Sequence, residues 1–230
     1  MTRPTVVLYD IDGTLITTGG SGRRAMLRAL AEVGVDDAAF AFAGMTDRLI
    51  VRQALVEGGV DDDEAAISAV IEIYLTLLVE EVDRTPTEDY RVMPGVVSAV
   101  EASLERGFAV GLGTGNVEAG ARIKLARVDL ADRFTFGGFG SDAEDRSELI
   151  RIGAERGASA LGVPRDSCRV IVVGDTPRDI EAARAIGAEV VAVATGTVPR
   201  EKLAPHRPDY LFDDLTEVGA IPAIFDAEPN

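Results

Sequence analysis

The chain has 230 residues, a hydrophobic share of 47% and a formal net charge of −16, enough for one large domain or a core domain carrying a smaller one. The negative charge argues against broad binding to nucleic acids or anionic membranes, and no apolar run reaches the ~18 residues of a membrane span. The start lacks the apolar centre of a cleavable signal and the single cysteine, Cys168, excludes an internal disulfide, so we expect a cytoplasmic protein.

The first predicted element is a buried strand in the apolar run of residues 6–9, which ends in Asp10 and Asp12. Aspartate is disfavoured inside strands and is seldom buried without a partner. In open α/β sheets, ligands bind just beyond the carboxyl ends of the strands. The two carboxylates therefore indicate a bound cation or a catalytic task at this end of the strand.

The next part of the chain, residues 17–88, is predicted to be helical and to contain no strand. It starts with a glycine- and threonine-rich loop, residues 16–22. Apolar residues then recur at helical spacing in three stretches. The first runs from near Ser21 to near Gly34, the second from Thr46 or Asp47 to near Gly58, and the third from near Asp61 to near Val82. We therefore predict a core domain of residues 1–16 and 89–230, with a helical cap domain of residues 17–88 inserted into it.

From residue 94 onward, predicted helices alternate with short apolar strands. The strands are predicted at residues 108–112, 134–136, 170–173, 189–193 and 210–212. Apolar, β-branched strands that alternate with helices are typical of a parallel sheet covered on both faces. The predicted fold class is α/β, a Rossmann-like parallel sheet with helices on both faces and an inserted, small all-helical cap.

Polar residues also end two of the later strands, at Thr114 and at Asp175. If these strands lie parallel to the first one, all the polar ends open onto one crevice. Thr114, Gly115 and Asn116 begin a helix, where a hydroxyl and free N–H groups make an anion site. A shared divalent ion requires the Asp10 and Asp175 carboxylates to lie within ~8 Å of each other.

These motifs resemble those of the haloacid dehalogenase-like hydrolase superfamily, in its phosphoglycolate phosphatase-like branch. Residues 10–15 match the first motif (Asp-x-Asp-Gly-Thr), and residues 112–116 and 174–179 match the second and the fourth. The resemblance implies a Mg²⁺-dependent phosphatase that hydrolyses a small phosphate monoester, such as phosphoglycolate, through an aspartyl-phosphate. The helical insert resembles the small cap of this branch.

The resemblance also implies roles for the acidic residues. Asp10 attacks phosphorus, while Asp12 protonates the leaving alkoxide and then activates water, so we expect the surroundings of Asp12 to raise its pKa. Asp10, the backbone carbonyl of Asp12 and Asp175 bind Mg²⁺. Asp179 holds a metal-bound water or a neighbouring loop.

The third motif departs from the family pattern, because the usual lysine is absent from residues 144–149. Arg146 is our candidate for holding the phosphate in its place, and Lys124 is the alternative. In the cap, Thr46, Asp47 and Arg48 are candidate substrate contacts, although the same residues fit an ordinary helix start with a surface arginine.

Two other functions share these motifs: a phosphomutase of the β-phosphoglucomutase type, and a non-catalytic protein that binds Mg²⁺ or phosphate. The expected partner is a small phosphorylated metabolite, and the expected state is a monomer or a homodimer. We expect the cap to open and close on residues 16–22 and 85–91 as hinges. Arg23 and Arg24, near the first hinge, are expected to be solvated.

Overall fold

A computed structural model describes residues 3–36, 40 and 42–225 of the chain. Its strands, in chain order, are β1 (Thr5–Tyr9), β2 (Ile16–Thr18), β3 (Tyr90–Val92), β4 (Ala109–Thr114), β5 (Gly137–Phe139), β6 (Arg169–Gly174), β7 (Glu189–Val193) and β8 (Tyr210–Phe212). Its α-helices are α1 (Ser21–Glu32), α2 (Asp47–Glu57), α3 (Glu64–Arg84), α4 (Val96–Glu105), α5 (Glu118–Ala126), α6 (Arg146–Ala160), α7 (Pro177–Ala185), α8 (Arg200–Leu203) and α9 (Ala220–Phe225). No helix in these described ranges combines the length and apolar composition needed to cross a bilayer.

Six of the strands form one parallel sheet in the order β5-β4-β1-β6-β7-β8. Alternate residues of β1 point to opposite faces, as the two-residue period of a strand requires. Val6 and Leu8 pack with residues of α6 and α7, whereas Val7 and Tyr9 pack with residues of α4, α5 and α9. Helices therefore cover both faces, and the predicted α/β fold is confirmed.

The register of the central strands fixes where the chain leaves the sheet. Tyr9 of β1 is paired with Leu112 of β4 on one side and with Val173 of β6 on the other. The N–H of Asp10 still donates to the carbonyl of Val173, at 2.9 Å. The residues that follow these three strands consequently emerge side by side on one edge of the sheet.

The helices α1, α2 and α3 lie between β1 and β4 in the chain, and both α1 and α2 pack against α3. The prediction that residues 16–22 form only a loop, and that no strand falls in residues 17–88, was wrong. Ile16–Thr18 pairs antiparallel with Tyr90–Val92, so the two connections to the helical part form a short ribbon. The boundaries of the core and the cap domain stay a prediction.

The strand predicted at residues 134–136 was also wrong, because the edge strand β5 is Gly137–Phe139. A Cβ on Gly138 would lie 1.7 Å from the carbonyl oxygen of Leu149 in α6, so this position requires glycine. Phe134 instead fills the core outside any strand, with its ring edge against Tyr9 at a centroid distance of 6.2 Å. The aromatic residues Phe134 and Phe136 suggested a strand at 134–136. The strand forms three residues later, where Gly137 and Gly138 allow it to lie close to its neighbours.

Candidate active site

Three buried carboxylates meet beyond β1 and β6. Asp10, Asp175 and Asp179 are each 5% exposed or less, and their carboxylate oxygens lie within 4.8 Å of one another. This is inside the ~8 Å that a shared divalent ion allows. The guanidinium of Arg146, at the start of α6, lies 2.9 Å from Asp10 Oδ2 and 2.5 Å from Asp179 Oδ1.

This cluster carries more negative than positive charge. Burial raises the pKa of Asp10 to about 6, even though the neighbouring Arg146 opposes the rise. Burial and the charges of Asp179 and Asp10 likewise raise the pKa of Asp175 well above its usual range. Three carboxylates face one guanidinium, so two negative charges would be unbalanced if all three carboxylates were ionised. Closely spaced carboxylate oxygens with this charge suit a divalent cation.

Small residues enclose Asp175. A Cβ on Gly196 would lie 1.7 Å from Asp175 Oδ2, and one on Gly13 would lie 2.4 Å from the same oxygen. The Thr14 hydroxyl donates to Asp175 Oδ1 at 2.8 Å, and the Thr195 hydroxyl donates to the Gly13 carbonyl at 2.5 Å. Sequence reasoning missed Thr14, Thr195 and Gly196 as parts of the site. The position of Thr195 and Gly196 after β7, the neighbour of β6, was the available signal.

A second network surrounds Asp12. The Lys124 ammonium donates to Asp12 Oδ2 at 2.7 Å and to Asn116 Oδ1 at 2.6 Å. Asn116 Nδ2 donates to Asp12 Oδ2 and to Thr114 Oγ1, both at 2.8 Å. Gly115 and Asn116 line the cleft, whereas Thr114 is fully buried behind them. The two candidates for the role of the missing third-motif lysine thus lie at different carboxylates: Arg146 contacts Asp10, and Lys124 contacts Asp12.

The expectation that the surroundings raise the pKa of Asp12 was wrong. Burial alone would raise this pKa, but the Lys124 charge and the hydrogen bonds from Lys124, Asn116 and Thr18 hold it below its usual value. The Asp12 side chain remains 41% exposed. In this arrangement Asp12 is ionised and faces the open cleft.

Asp179 supports its neighbours. Its Oδ2 accepts from the Thr176 N–H at 3.0 Å and from the Thr176 hydroxyl at 2.7 Å, which caps α7. Its Oδ1 accepts from Arg146. Asp179 therefore joins the Asp175 loop to Arg146, in keeping with the neighbouring-loop alternative.

The three cap candidates occupy different positions. Asp47 lines the cleft, and its Oδ2 accepts from the Val117 N–H at 2.9 Å. Thr46 caps α2, and its hydroxyl donates to the Glu144 carbonyl at 3.2 Å. Arg48 is not brought to the cleft; its guanidinium pairs with Glu64 and lies 3.8 Å from Glu144.

The helical part and the sheet enclose a cleft of about 580 Å³. Its wall contains Asp10 and Asp175 of the acidic cluster. A mixed polar and apolar surface also lines it, formed by Arg23, Met26, Phe42, Met45, Asp47, Ile50, Tyr74 and Met93. Arg23 is exposed, as expected, and it also lines this cleft.

Comparison with known families agrees with this geometry. Residues 7–184 match the model of the haloacid dehalogenase-like hydrolase family, and residues 151–218 match a second HAD-hydrolase-like model. The chain belongs to the haloacid dehalogenase-like hydrolase family.

Individual relatives indicate the branch. A phosphoglycolate phosphatase of Mesorhizobium japonicum is 28% identical over 229 residues, with 94% of each chain covered. One from Rhodospirillum rubrum is 28% identical over 220 residues, which cover 94% of this chain and 90% of the relative. This family member is a hydrolase of the phosphatase type, in the phosphoglycolate phosphatase-like branch.

A solved structure has the same fold. A mutant of CbbY from Rhodobacter sphaeroides, in complex with xylulose-(1,5)bisphosphate, superposes with a TM-score of 0.75 at 18% identity. The superposition covers 98% of this chain and all of the other. At this identity the likeness concerns the fold alone.

The first prediction concerns Asp47. Burial raises its pKa to about 6 despite the opposing charge of Lys124, above the ~3.9 of an exposed aspartate. Ionised Asp47 therefore destabilises the folded state above about pH 6, and this cost disappears as the pH falls below about 4. We expect Asp47→Asn, which keeps an acceptor for Val117, to raise the free energy of unfolding by about 2–3 kcal/mol at about pH 7.5 and hardly at all near pH 4.

Urea unfolding in EDTA across this pH range measures the difference. Asp83→Asn is the control, because Asp83 is exposed on α3 and its replacement should give a small difference that does not vary with pH. If Asp47→Asn changed the free energy of unfolding by the same amount at every pH, the raised pKa assigned to Asp47 would be contradicted.

Proposed function

We propose that this protein is a Mg²⁺-dependent phosphatase that hydrolyses a small phosphate monoester, such as phosphoglycolate, through an aspartyl-phosphate on Asp10. The observation that carries the proposal is the buried group of Asp10, Asp175 and Asp179 with Arg146 against Asp10. A carboxylate that attacks phosphorus has to lie close to compensating positive charge, since a phosphate dianion otherwise repels it.

In the first half of the reaction, an oxygen of Asp10 forms a bond to phosphorus while the bond from phosphorus to the ester oxygen breaks. Asp12 gives a proton to that departing oxygen. In the second half, water attacks the aspartyl-phosphate, Asp12 takes a proton from the water, and the bond between Asp10 and phosphorus breaks. Asp10 and Asp12 then return to their starting states.

The network around Asp12 fits the two halves differently. Lys124 and Asn116 hold Asp12 ionised, which is the state required to accept a proton from water. For the first half, Asp12 must take up a proton beforehand. The exposure of its side chain to the cleft gives solvent access for this uptake.

Asp10, the backbone carbonyl of Asp12 and Asp175 would hold Mg²⁺, and the charge and spacing of the Asp10 and Asp175 carboxylates fit this ion. When bound, the ion would neutralise phosphate charge and favour attack by a carboxylate. Asp179 has both carboxylate oxygens engaged by Thr176 and Arg146, so its role is to fix Arg146 and the loop of Asp175.

Arg146 is our choice for the phosphate contact that the third-motif lysine usually makes. It already bridges Asp10 and Asp179 from the start of α6, and a guanidinium can hold a phosphate with paired hydrogen bonds. Thr114, Gly115 and Asn116 were expected to begin a helix, but Thr114 ends β4 and α5 begins only at Glu118. Gly115 and Asn116 would hold phosphate oxygens from the loop between these elements, while Thr114 lies behind them and accepts from Asn116 Nδ2. From the cap, Asp47 is the candidate for substrate selection that lines the cleft, whereas Thr46 and Arg48 do not line it.

The remaining expectations stay predictions. They are a small phosphorylated metabolite as partner, no nucleic acid or membrane, a monomer or homodimer, a cap that opens and closes, and a cytoplasmic location. Cys168 is a buried free thiol, which is compatible with a reducing compartment.

The second prediction tests the reaction. Phosphate release from p-nitrophenyl phosphate and from 2-phosphoglycolate should require Mg²⁺ and stop with EDTA. Asp10→Asn should lower kcat by more than about 10³-fold, as removal of a covalent nucleophile does in other enzymes. Asp132→Asn, at an exposed position, is the control and should keep wild-type activity.

The products separate this function from its alternatives. A phosphomutase would convert a sugar phosphate into its isomer with little free phosphate. A non-catalytic binding protein would release no phosphate with either ester, in Mg²⁺ or without it. Either result would contradict the proposal.

The third prediction concerns Arg146. Arg146→Ala should lower kcat/KM by about 10²–10³-fold, the usual cost of losing one donor to the reacting group. Arg146→Lys should lower kcat/KM by a smaller factor, because lysine keeps the positive charge although it cannot make the paired contacts. Arg151→Ala is the control: Arg151 lies on the same helix but pairs with Glu148 and Glu155 on the exposed side.

Thermal unfolding of each variant identifies any that are unfolded at the assay temperature. Near-normal activity in folded Arg146→Ala, together with an inactive Lys124→Ala, would reassign the phosphate contact to Lys124.

A further inference from the structure

Three cationic side chains line the described part of the cleft, and they differ in whether a carboxylate of the protein already pairs with them. Arg146 is bound by Asp10 and Asp179, and Lys124 is bound by Asp12 and Asn116. Arg23, on the first turn of α1, also lines the cleft. Among the described residues no carboxylate lies within 4.0 Å of its guanidinium. Its donors are therefore available to a ligand.

The position of Arg23 is nevertheless defined. Its guanidinium stacks on the ring of Phe42, 4.5 Å from the ring centroid. Both residues line the cleft. A cation held over an aromatic face is oriented without being neutralised, so Arg23 presents a full positive charge to the cleft.

The first turn of α1 adds to this positive character. Gly20 caps the helix without a side-chain hydrogen bond, and the first turn contains no acidic residue. The first N–H groups of a helix have no partner within the helix and attract anions. Gly20 and Gly22 line the cleft beside Arg23. The Ser21 hydroxyl is buried and has no hydrogen-bond partner in the described part of the chain.

This turn lies close to the reacting groups. A Cβ on Gly22 would lie 2.9 Å from Lys124 Nζ, and that nitrogen is 2.7 Å from Asp12 Oδ2. Only the ammonium group of Lys124 therefore separates the start of α1 from Asp12. The turn therefore lies within a few ångströms of Asp12, the residue that gives its proton to the departing oxygen in the proposed reaction.

From these observations we infer that Arg23 and the first turn of α1 bind a second anionic group of the substrate. Arg23 is then a specificity-determining residue, which selects short phosphate monoesters that carry a carboxylate or a second phosphate. This inference rests on the proposed phosphatase function. Without Arg23, the carboxylates of Asp12 and Asp47 would repel such a group, and the remaining cations, Lys124 and Arg146, are already held by carboxylates.

A matched pair of esters tests the inference. In 2-phosphoglycolate the second group is a carboxylate, and in ethylene glycol monophosphate a neutral hydroxymethyl group replaces it. Wild-type protein should favour 2-phosphoglycolate in kcat/KM by about tenfold or more, the effect of one charge-assisted hydrogen bond. Arg23→Ala should remove this preference, mainly by raising KM for 2-phosphoglycolate, and should leave the neutral ester within about threefold of wild type.

Arg24→Ala is the matched control. Arg24 is the next residue of the same helix, but its guanidinium donates to Glu81 and Thr85. Its replacement should leave the ratio between the two esters unchanged. An unchanged ratio in Arg23→Ala, or no preference in the wild type, would overturn the inference while the phosphatase function stands.

Failure of the proposed function gives a different result, because wild-type protein would then hydrolyse neither ester. Calorimetric binding of 2-phosphoglycolate in Mg²⁺ still decides the inference in that case. Affinity in Arg23→Ala about tenfold weaker than in wild type supports it, and equal affinity overturns it.

Discussion

The structure depends on the burial of three carboxylates against one guanidinium at the carboxyl ends of β1 and β6. Buried charges are costly unless they are paired, and here one arginine serves both Asp10 and Asp179. Burial is the largest cause of the raised pKa values of Asp10 and Asp175, and the neighbouring carboxylates add to it. The surplus of carboxylates makes this group of residues suitable for a divalent cation.

Close backbone approach is what allows this concentration of charge. Gly13 and Gly196 leave room for Asp175 where any side chain would collide with its carboxylate. Gly174 does the same for Asp179, since a Cβ there would lie 2.3 Å from the Asp179 Cγ. The glycines after the central strands are thus a condition for the site, and the motif spacing in the sequence reflects that condition.

The helical part takes a direct part in the site. The Asp47 N–H donates to the Gly115 carbonyl at 2.8 Å, while its carboxylate accepts from Val117. Arg146 donates to the Gly44 carbonyl at 3.2 Å. These contacts join α2 to the loop that follows β4 and to the start of α6. A movement of the helical part would therefore change the contacts of the loop after β4 and of Arg146.

The sequence was most informative where the decisive pattern is local. Asp10, Asp12 and Asp175 follow apolar strands directly, so strand pattern and motif together predicted their meeting. The pairing of β2 with β3 was missed, because three-residue strands more than seventy residues apart leave no periodic signal. The pKa of Asp12 was predicted in the wrong direction since it depends on Lys124, a residue 112 positions away. Arg23 is exposed as predicted, but only the folded chain could show that it also lines the cleft.

Calorimetric titration of the protein with Mg²⁺ tests the central claim most directly. The account predicts that wild-type protein binds one Mg²⁺ and that bound Mg²⁺ raises the free energy of unfolding, because the ion offsets the surplus charge of the buried carboxylates. Asp175→Asn should bind the ion at least about tenfold more weakly, having lost one charged ligand. Wild-type protein that gives neither binding heat nor a gain in stability at millimolar Mg²⁺ would contradict the account.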